Sequence, residues 1–124
     1  MTGGTITNVG KNLVLSRLFK STDTPITQFK VGTGTTAAAV TDTDLETPVF
    51  TKNVSLVSYN EATYTATVKC YLTASDANGY SLTEAGEFNT DDTPKMLDHD
   101  IFTAFSKSDS DELLINYVHE VQLV

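Results

Sequence analysis

A single cysteine, Cys70, is all the thiol chemistry available to this 124-residue chain. One thiol makes no intramolecular disulfide, and any multi-cysteine metal site is excluded with it. Cys70 falls in an alternating segment, where it reads as a small buried hydrophobe. A catalytic thiol would need His99 or His119 beside it, and no motif brings either one there. Basic residues are also scarce, eight against sixteen acids, for a formal charge of −8. Attraction to phosphate is the main source of nucleic-acid affinity, so no nucleic-acid partner is expected. Three of the bases, Lys11, Arg17 and Lys20, fall in one predicted helix and read as its solvated face. No apolar run approaches the roughly 18 residues of a membrane span, so no membrane partner is expected either. The opening residues, MTGGTITNVGKN, lack the charged and apolar regions of a secretory signal, and export by the usual route is not expected.

What is present points to one folded unit. An apolar content of 40% suits a globular chain rather than a disordered one, and the length suits a single domain over residues 1–124 with one core. Val9, Leu13 and Leu18, with Val14 and Phe19 beside them, recur at helical spacing behind a cap at Thr7 or Asn8. This predicts a helix over about 8–20, broken by STDTP at Ser21–Pro25. At that length a helix needs a sheet to pack on. The rest reads as strand. In Thr63–Thr73, Tyr64, Ala66, Val68, Cys70 and Leu72 alternate with threonine, lysine and Tyr71, the pattern of a half-buried antiparallel strand. Further strands are predicted at Gln28–Gly32, Val49–Tyr59, Ser81–Phe88, Lys95–Phe105 and Glu112–Leu123, separated by Asn-, Asp-, Ser- and Gly-rich turns. The expected class is mainly β: an antiparallel β-sandwich of about six strands with one N-terminal α-helix.

Several chemical motifs can be tested on the sequence. GTGTTA at 32–37 fits G-x-G-x-x-A through Gly32, Gly34 and Ala37. A dinucleotide site needs a helix directly after those glycines and an acid about 20 residues on. Here TTAAAVTDTD follows, and Lys52 and Asn53 stand where the acid belongs. No cofactor is expected; the two glycines are expected to let the chain leave a strand through backbone conformations that other residues resist. Residues 32–48 are then a strand exit and a long surface excursion, part of an intersubunit contact. Carboxylates cluster at Asp42/Asp44, Asp91/Asp92, Asp98/Asp100 around His99, and Asp109/Asp111/Glu112. The ordered calcium-loop motif is absent, and each cluster reads as a solvated turn rather than a metal site. In a strand, His99 would face away from Asp98 and Asp100. No G-x-S-x-G elbow or other nucleophile motif occurs, so no enzyme activity is expected.

Taken in order, the segments resemble the N-terminal domains of phage tail-collar fibres. ITNVGKNLVLSRLF (6–19) is similar to the family's T-N-x-G start and first helix. FKVGTGTTAAAVTDTDLETPV (29–49) is similar to its glycine-rich stretch, through Gly32, Gly34, Thr43, Leu45 and Val49. DANGYSLTEAGEFNTDD (76–92) is similar to I-x-E-x-G-L-F-D, through Glu84, Gly86 and Phe88, and Lys107 precedes the last strand as in the family. Glu87 stands where the family usually has leucine, Pro48 where it has an acid before Val49, and the arginine common after that valine is missing. The likeness spans residues 5–123.

The resemblance implies a virion structural protein without enzymatic chemistry. Its partners would be other virion proteins, of the tail and baseplate or the major capsid protein, and copies of itself, such as a trimer. No shaft or receptor-binding tip is expected after Val124, so a tail adaptor or collar component and a capsid decoration protein are both open. Glu84 is expected to satisfy buried backbone amides or to pair with Lys107, and Gly86 to mark a bulge or a close backbone approach. Two readings from other classes stay open: a small calcium- or sugar-binding module using the acidic loops, and a hydrolase in which a histidine meets a serine in the fold.

Overall fold

In the computed structural model, which describes residues 4–20 and 22–122, Thr7 caps helix α1 (Asn8–Phe19). Its hydroxyl accepts the Gly10 amide at 2.9 Å and donates to the Met96 carbonyl at 2.8 Å, while its own amide reaches the Leu97 carbonyl at 3.0 Å. One side chain therefore starts the helix and docks it on the sheet. The helix enters at Gly10 and Leu13, and a Cβ at Gly10 would overlap the Leu97 backbone. This narrow contact corrects the expected apolar stripe. Val14, Leu15, Leu18 and Phe19 remain exposed, Leu18 at 70% and Phe19 at 79%. At 100° per residue, Leu18 and Phe19 point roughly 110–150° away from the Gly10–Leu13 side, beyond what a close contact can cover.

The described residues form eight strands: β1 (Thr5–Ile6), β2 (Ile26–Gly32), β3 (Pro48–Asn53), β4 (Leu56–Asn60), β5 (Thr65–Leu72), β6 (Ser81–Asn89), β7 (Met96–Ser106) and β8 (Leu113–Glu120). They make two antiparallel sheets, ordered β1-β7-β6-β2-β3 and β4-β5-β8. The expected strand Val49–Tyr59 is two strands in different sheets. The chain turns the corner at Val54, whose amide bonds Thr27 of the first sheet at 2.9 Å, and Ser55, whose amide bonds Lys69 of the second at 2.7 Å. Tyr64, expected inward, lies before β5 with φ +57° and is exposed, because the turn after β4 needs a left-handed residue there. β1 is too short for its period to show in the sequence. Ser21 in the predicted break and Leu123 at the predicted end of the last strand lie outside the described residues.

Phe29 and Val31 of β2, Val68, Cys70 and Leu72 of β5, Leu82 and Ala85 of β6, and Ile115 and Tyr117 of β8 fill the space between the sheets. Cys70 is one of them, and burial raises its thiol pKa. The other face of the larger sheet is covered by residues 33–47, which run back across β6 and β7 and bury Leu45 against Phe88 and Met96. No helix among the described residues is long and apolar enough to cross a membrane. The docking contact is testable. Gly10→Ala, although favourable for an isolated helix, should cost about 1–3 kcal/mol in urea unfolding, as overpacking does. Lys11→Ala, on the exposed side, should stay within about 0.5 kcal/mol.

Candidate functional site

Two buried polar clusters lie back to back on the β6–β7 pair. Successive strand residues face opposite sides, so this one pair supplies both. On the side covered by residues 33–47, the Glu84 carboxyl is fully buried. Its Oε1 accepts the amides of Gly34 at 3.1 Å and Thr47 at 2.7 Å, and its Oε2 accepts the amide of Glu46 at 3.0 Å. His99 Nε2 completes the set at 2.8 Å from Oε2, and His99 Nδ1 lies 2.7 Å from Asp42 Oδ2. Thr83 Oγ1 donates to the Gly34 carbonyl at 2.6 Å, and Lys30 holds Asp44 at 3.1 Å while lying over the Phe88 ring. The whole excursion is thus tied to the sheet at both ends and in its middle.

Gly32 and Gly34 are needed here for closeness rather than for unusual backbone angles. Neither adopts a positive φ, which corrects the expectation. A Cβ at Gly34 would come within 2.6 Å of Glu46 Cβ and 2.7 Å of Glu84 Oε1. The loop amides do converge on an anion, and that anion is the chain's own Glu84. Gly86 matches the expected close approach, since a Cβ there would meet the Asp98 carbonyl at 2.7 Å. Leu45 and Phe88 pack together under the excursion. Thr43 is exposed and outside both clusters. Lys107 does not pair with Glu84; it is buried, and its Nζ donates to Asn78 Oδ1 at 2.8 Å and the Ser108 carbonyl at 2.9 Å. Neutral acceptors at its own turn are nearer to it than any acid across the sheet.

His99 faces away from Asp98, as strand alternation requires. Burial disfavours its charged form, but the hydrogen bonds to Asp42 and Glu84 outweigh that and raise its pKa above the ordinary 6.5. With a carboxyl on each nitrogen, the ring donates on both sides only as imidazolium, and neither nitrogen is free to take a proton from a nucleophile. A pocket of about 250 Å³ beside it is lined by Asp42, Asp44 and Glu46 among others. Each of these acids already has a partner in the chain: His99, Lys30 and the Thr35 amide respectively. Two of the turn acids are likewise engaged. Asp91 takes the Thr24 amide and hydroxyl, and Asp111 takes the Ser108 amide and hydroxyl.

The second cluster faces the interior between the sheets. Glu87 and Asp98 are cross-strand neighbours beside a bulge at Glu87/Phe88, and His119 reaches them from β8 of the opposite sheet. Glu87 Oε2 lies 2.6 Å from His119 Nε2, and the Glu87 amide donates to Asp98 Oδ1 at 3.1 Å. Burial raises the pKa of both carboxyls, and that of Asp98 further through the charge of Glu87. Among the described residues, Glu87 Oε1, Asp98 Oδ2, Asp100 Oδ2 and the Tyr117 hydroxyl are buried with no hydrogen-bond partner beyond the contact between the Glu87 and Asp98 carboxyls. Among the described residues, no lysine or arginine forms a salt bridge with Glu87, Asp98 or Asp100. Glu87 and His119 open onto an apolar groove of about 680 Å³ between α1 and β4. The sequence reading missed this cluster. One signal was available: His119 has the same strand phase as the inward residues Ile115 and Tyr117, and Glu87 replaces a leucine in the resemblance.

Against models of protein families, curated proteins and solved structures, the chain finds no match.

Two outcomes test the outer cluster. Glu84→Ala leaves three amides and an imidazole facing a void, and should cost about 3–5 kcal/mol of unfolding free energy, the range for breaking a buried pair. Glu84→Gln should recover only part of this, because its amide nitrogen cannot accept from Glu46 or His99. The second outcome concerns acid. The Ala39 amide, and then the His99 hydrogen bond, lower the Asp42 pKa below the ordinary 3.8. A lowered folded-state pKa gives stability that is present above the unfolded value and lost as pH falls through the folded one. The stability difference between wild type and Asp42→Asn should therefore be largest above pH ~5 and shrink steadily below pH ~4, measured by urea unfolding at each pH.

Proposed function

We propose that this chain is a non-enzymatic structural protein of a phage virion. It serves as an adaptor, collar or fibre-attachment component of the tail, packing as a symmetric oligomer of its own copies, such as a trimer, against tail or baseplate proteins. The observation that carries this reading is the uncovered apolar face of α1. Val14, Leu15, Leu18 and Phe19 are exposed on one short helix, and Val14 and Leu18 line the groove together with exposed Tyr59 of β4 and Val121 after β8. Contiguous exposed apolar surface of this kind marks an association surface. β4 adds an edge exposed along its whole length and paired on one side only. A second copy of the chain is the occupant that would cover both, since in a ring such as a trimer the α1 face of each subunit can meet the β4 edge of the next.

The family resemblance supports the same reading. Its Glu84, Gly86 and Phe88 all serve to fasten the excursion, so that segment has a scaffolding task rather than a chemical one. Decoration of the capsid, against the major capsid protein, is the alternative location, and labelling of intact particles separates it from the tail. In solution the purified chain should run as a concentration-dependent oligomer by light scattering after size exclusion. Leu18→Asp with Phe19→Asp should convert it to a monomer while changing the stability of the monomer fold by less than about 1 kcal/mol, since both side chains are exposed. A wild-type monomer at every concentration would sink the assembly reading.

A further inference from the structure

We propose that Glu87, Asp98 and His119 bind a first-row divalent transition-metal ion, Zn²⁺ being the type case, at the floor of the groove between α1 and β4. The three side chains each offer one ligand atom, and these atoms all lie within 4.8 Å of one another. Zinc bonds of 2.0–2.2 Å in a tetrahedron place ligand atoms roughly 3.3–3.6 Å apart. Side-chain rotations on metal binding would bring the three from within 4.8 Å to that spacing. The ligands come from β6, β7 and β8, so the ion would clamp the two sheets together at this end of the sandwich.

The two buried carboxyls face each other across the strand pair, and only a shared proton or a cation can hold them there. Glu87 and Asp98 are fully buried or nearly so, and among the described residues each keeps one oxygen that no amide, imidazole or cation reaches. A buried carboxyl left in that state is costly unless a proton or a metal meets it. Among the described residues, the Tyr117 hydroxyl adds another unpartnered oxygen to the same interior. The nearest base lining the groove is Arg17, whose Nη1 is engaged by the Asp23 carbonyl. At present a proton joins His119 Nε2 to Glu87 Oε2, and a metal would take its place on the nitrogen lone pair.

The donor set selects the ion. One imidazole with two carboxylates suits zinc and its neighbours, whereas calcium and magnesium take oxygen ligands alone. His119 is only partly buried and Glu87 lines the groove, so an ion has an entry path, and a fourth position remains for water on the groove side. The site does not depend on the assembly reading, because its ligands belong to one chain.

The test uses the full chain, stripped with chelator and titrated with ZnCl₂ by calorimetry, with imidazole signals followed by NMR. One ion per chain is expected, with the His119 ring signals moving and the melting temperature rising as metal is added. His119→Ala and Glu87→Gln should each weaken binding by at least about tenfold, and calcium chloride at the same concentration should leave the His119 signals in place. Glu87→Leu should stay folded, because it fills the inward position with an apolar side chain, and should bind no zinc at this site. Should a Glu87 variant fail to fold, His119→Ala decides, since that ring lies at the groove surface. No zinc binding, unchanged affinity in His119→Ala, or movement of the His99 signals instead of those of His119 would overturn the proposal.

Discussion

The buried carboxyl of Glu84 is the constraint on which the outer half of this molecule depends. A fifteen-residue excursion, 33–47, has no strand or helix of its own to satisfy its amides where it crosses the sheet. Glu84 supplies acceptors for three of them at the two ends, and His99 carries the connection on to Asp42 in the excursion's middle. The excursion in turn hides Leu45, Phe88 and Met96, and its Val40 carbonyl receives the Asn8 amide at the start of α1. Buried polar groups that are fully satisfied define a single arrangement, because each alternative leaves some of them unpaired. The glycine-rich loop has the amide geometry of an anion cradle, and its anion is covalently part of the protein.

The same strand pair carries a second cluster on its other side, and the contrast between the two is informative. Around Glu84 every charge meets donors. Around Glu87 and Asp98 two carboxyls share the interior with one imidazole and, among the described residues, leave oxygens that no amide or cation reaches. Both sets of residues are held by the same backbone ladder, so the difference lies in what surrounds them. The excursion brings amides to one face, while β5 and β8 bring mainly apolar side chains to the other. An unsatisfied interior costs a fold stability, which is why that cluster invites a ligand and the outer one does not.

Much of the architecture could be read from the residues. The alternation through Ala66, Val68, Cys70 and Leu72 gave a strand with the right face inward, and Thr7 and the Ser-, Asp- and Asn-rich turns marked where elements begin and end. Glu84 was expected on buried amides, and that half of the expectation holds; its other half, Lys107, belongs to a different turn. The helix was harder. Leu13 and Leu18 look alike in a periodic pattern, but only Leu13 is buried, because Gly10 lets the backbone come so close that one narrow side is used. Val49–Tyr59 reads as one strand because its composition does not change at the corner between the sheets.

By itself the sequence determined what is decided within a few residues: the cap, the phase of each strand, the turns, and the mainly β class with its single helix. These follow from local sterics and from the period with which apolar residues recur. Only the tertiary structure decided which polar groups meet. Glu84 and the Gly34 amide are 50 residues apart, His99 and Asp42 57, and Glu87 and His119 32. Such partners are chosen by strand pairing, by bulges that shift register, and by the path of a loop across a sheet. None of these leaves a periodic trace in the chain.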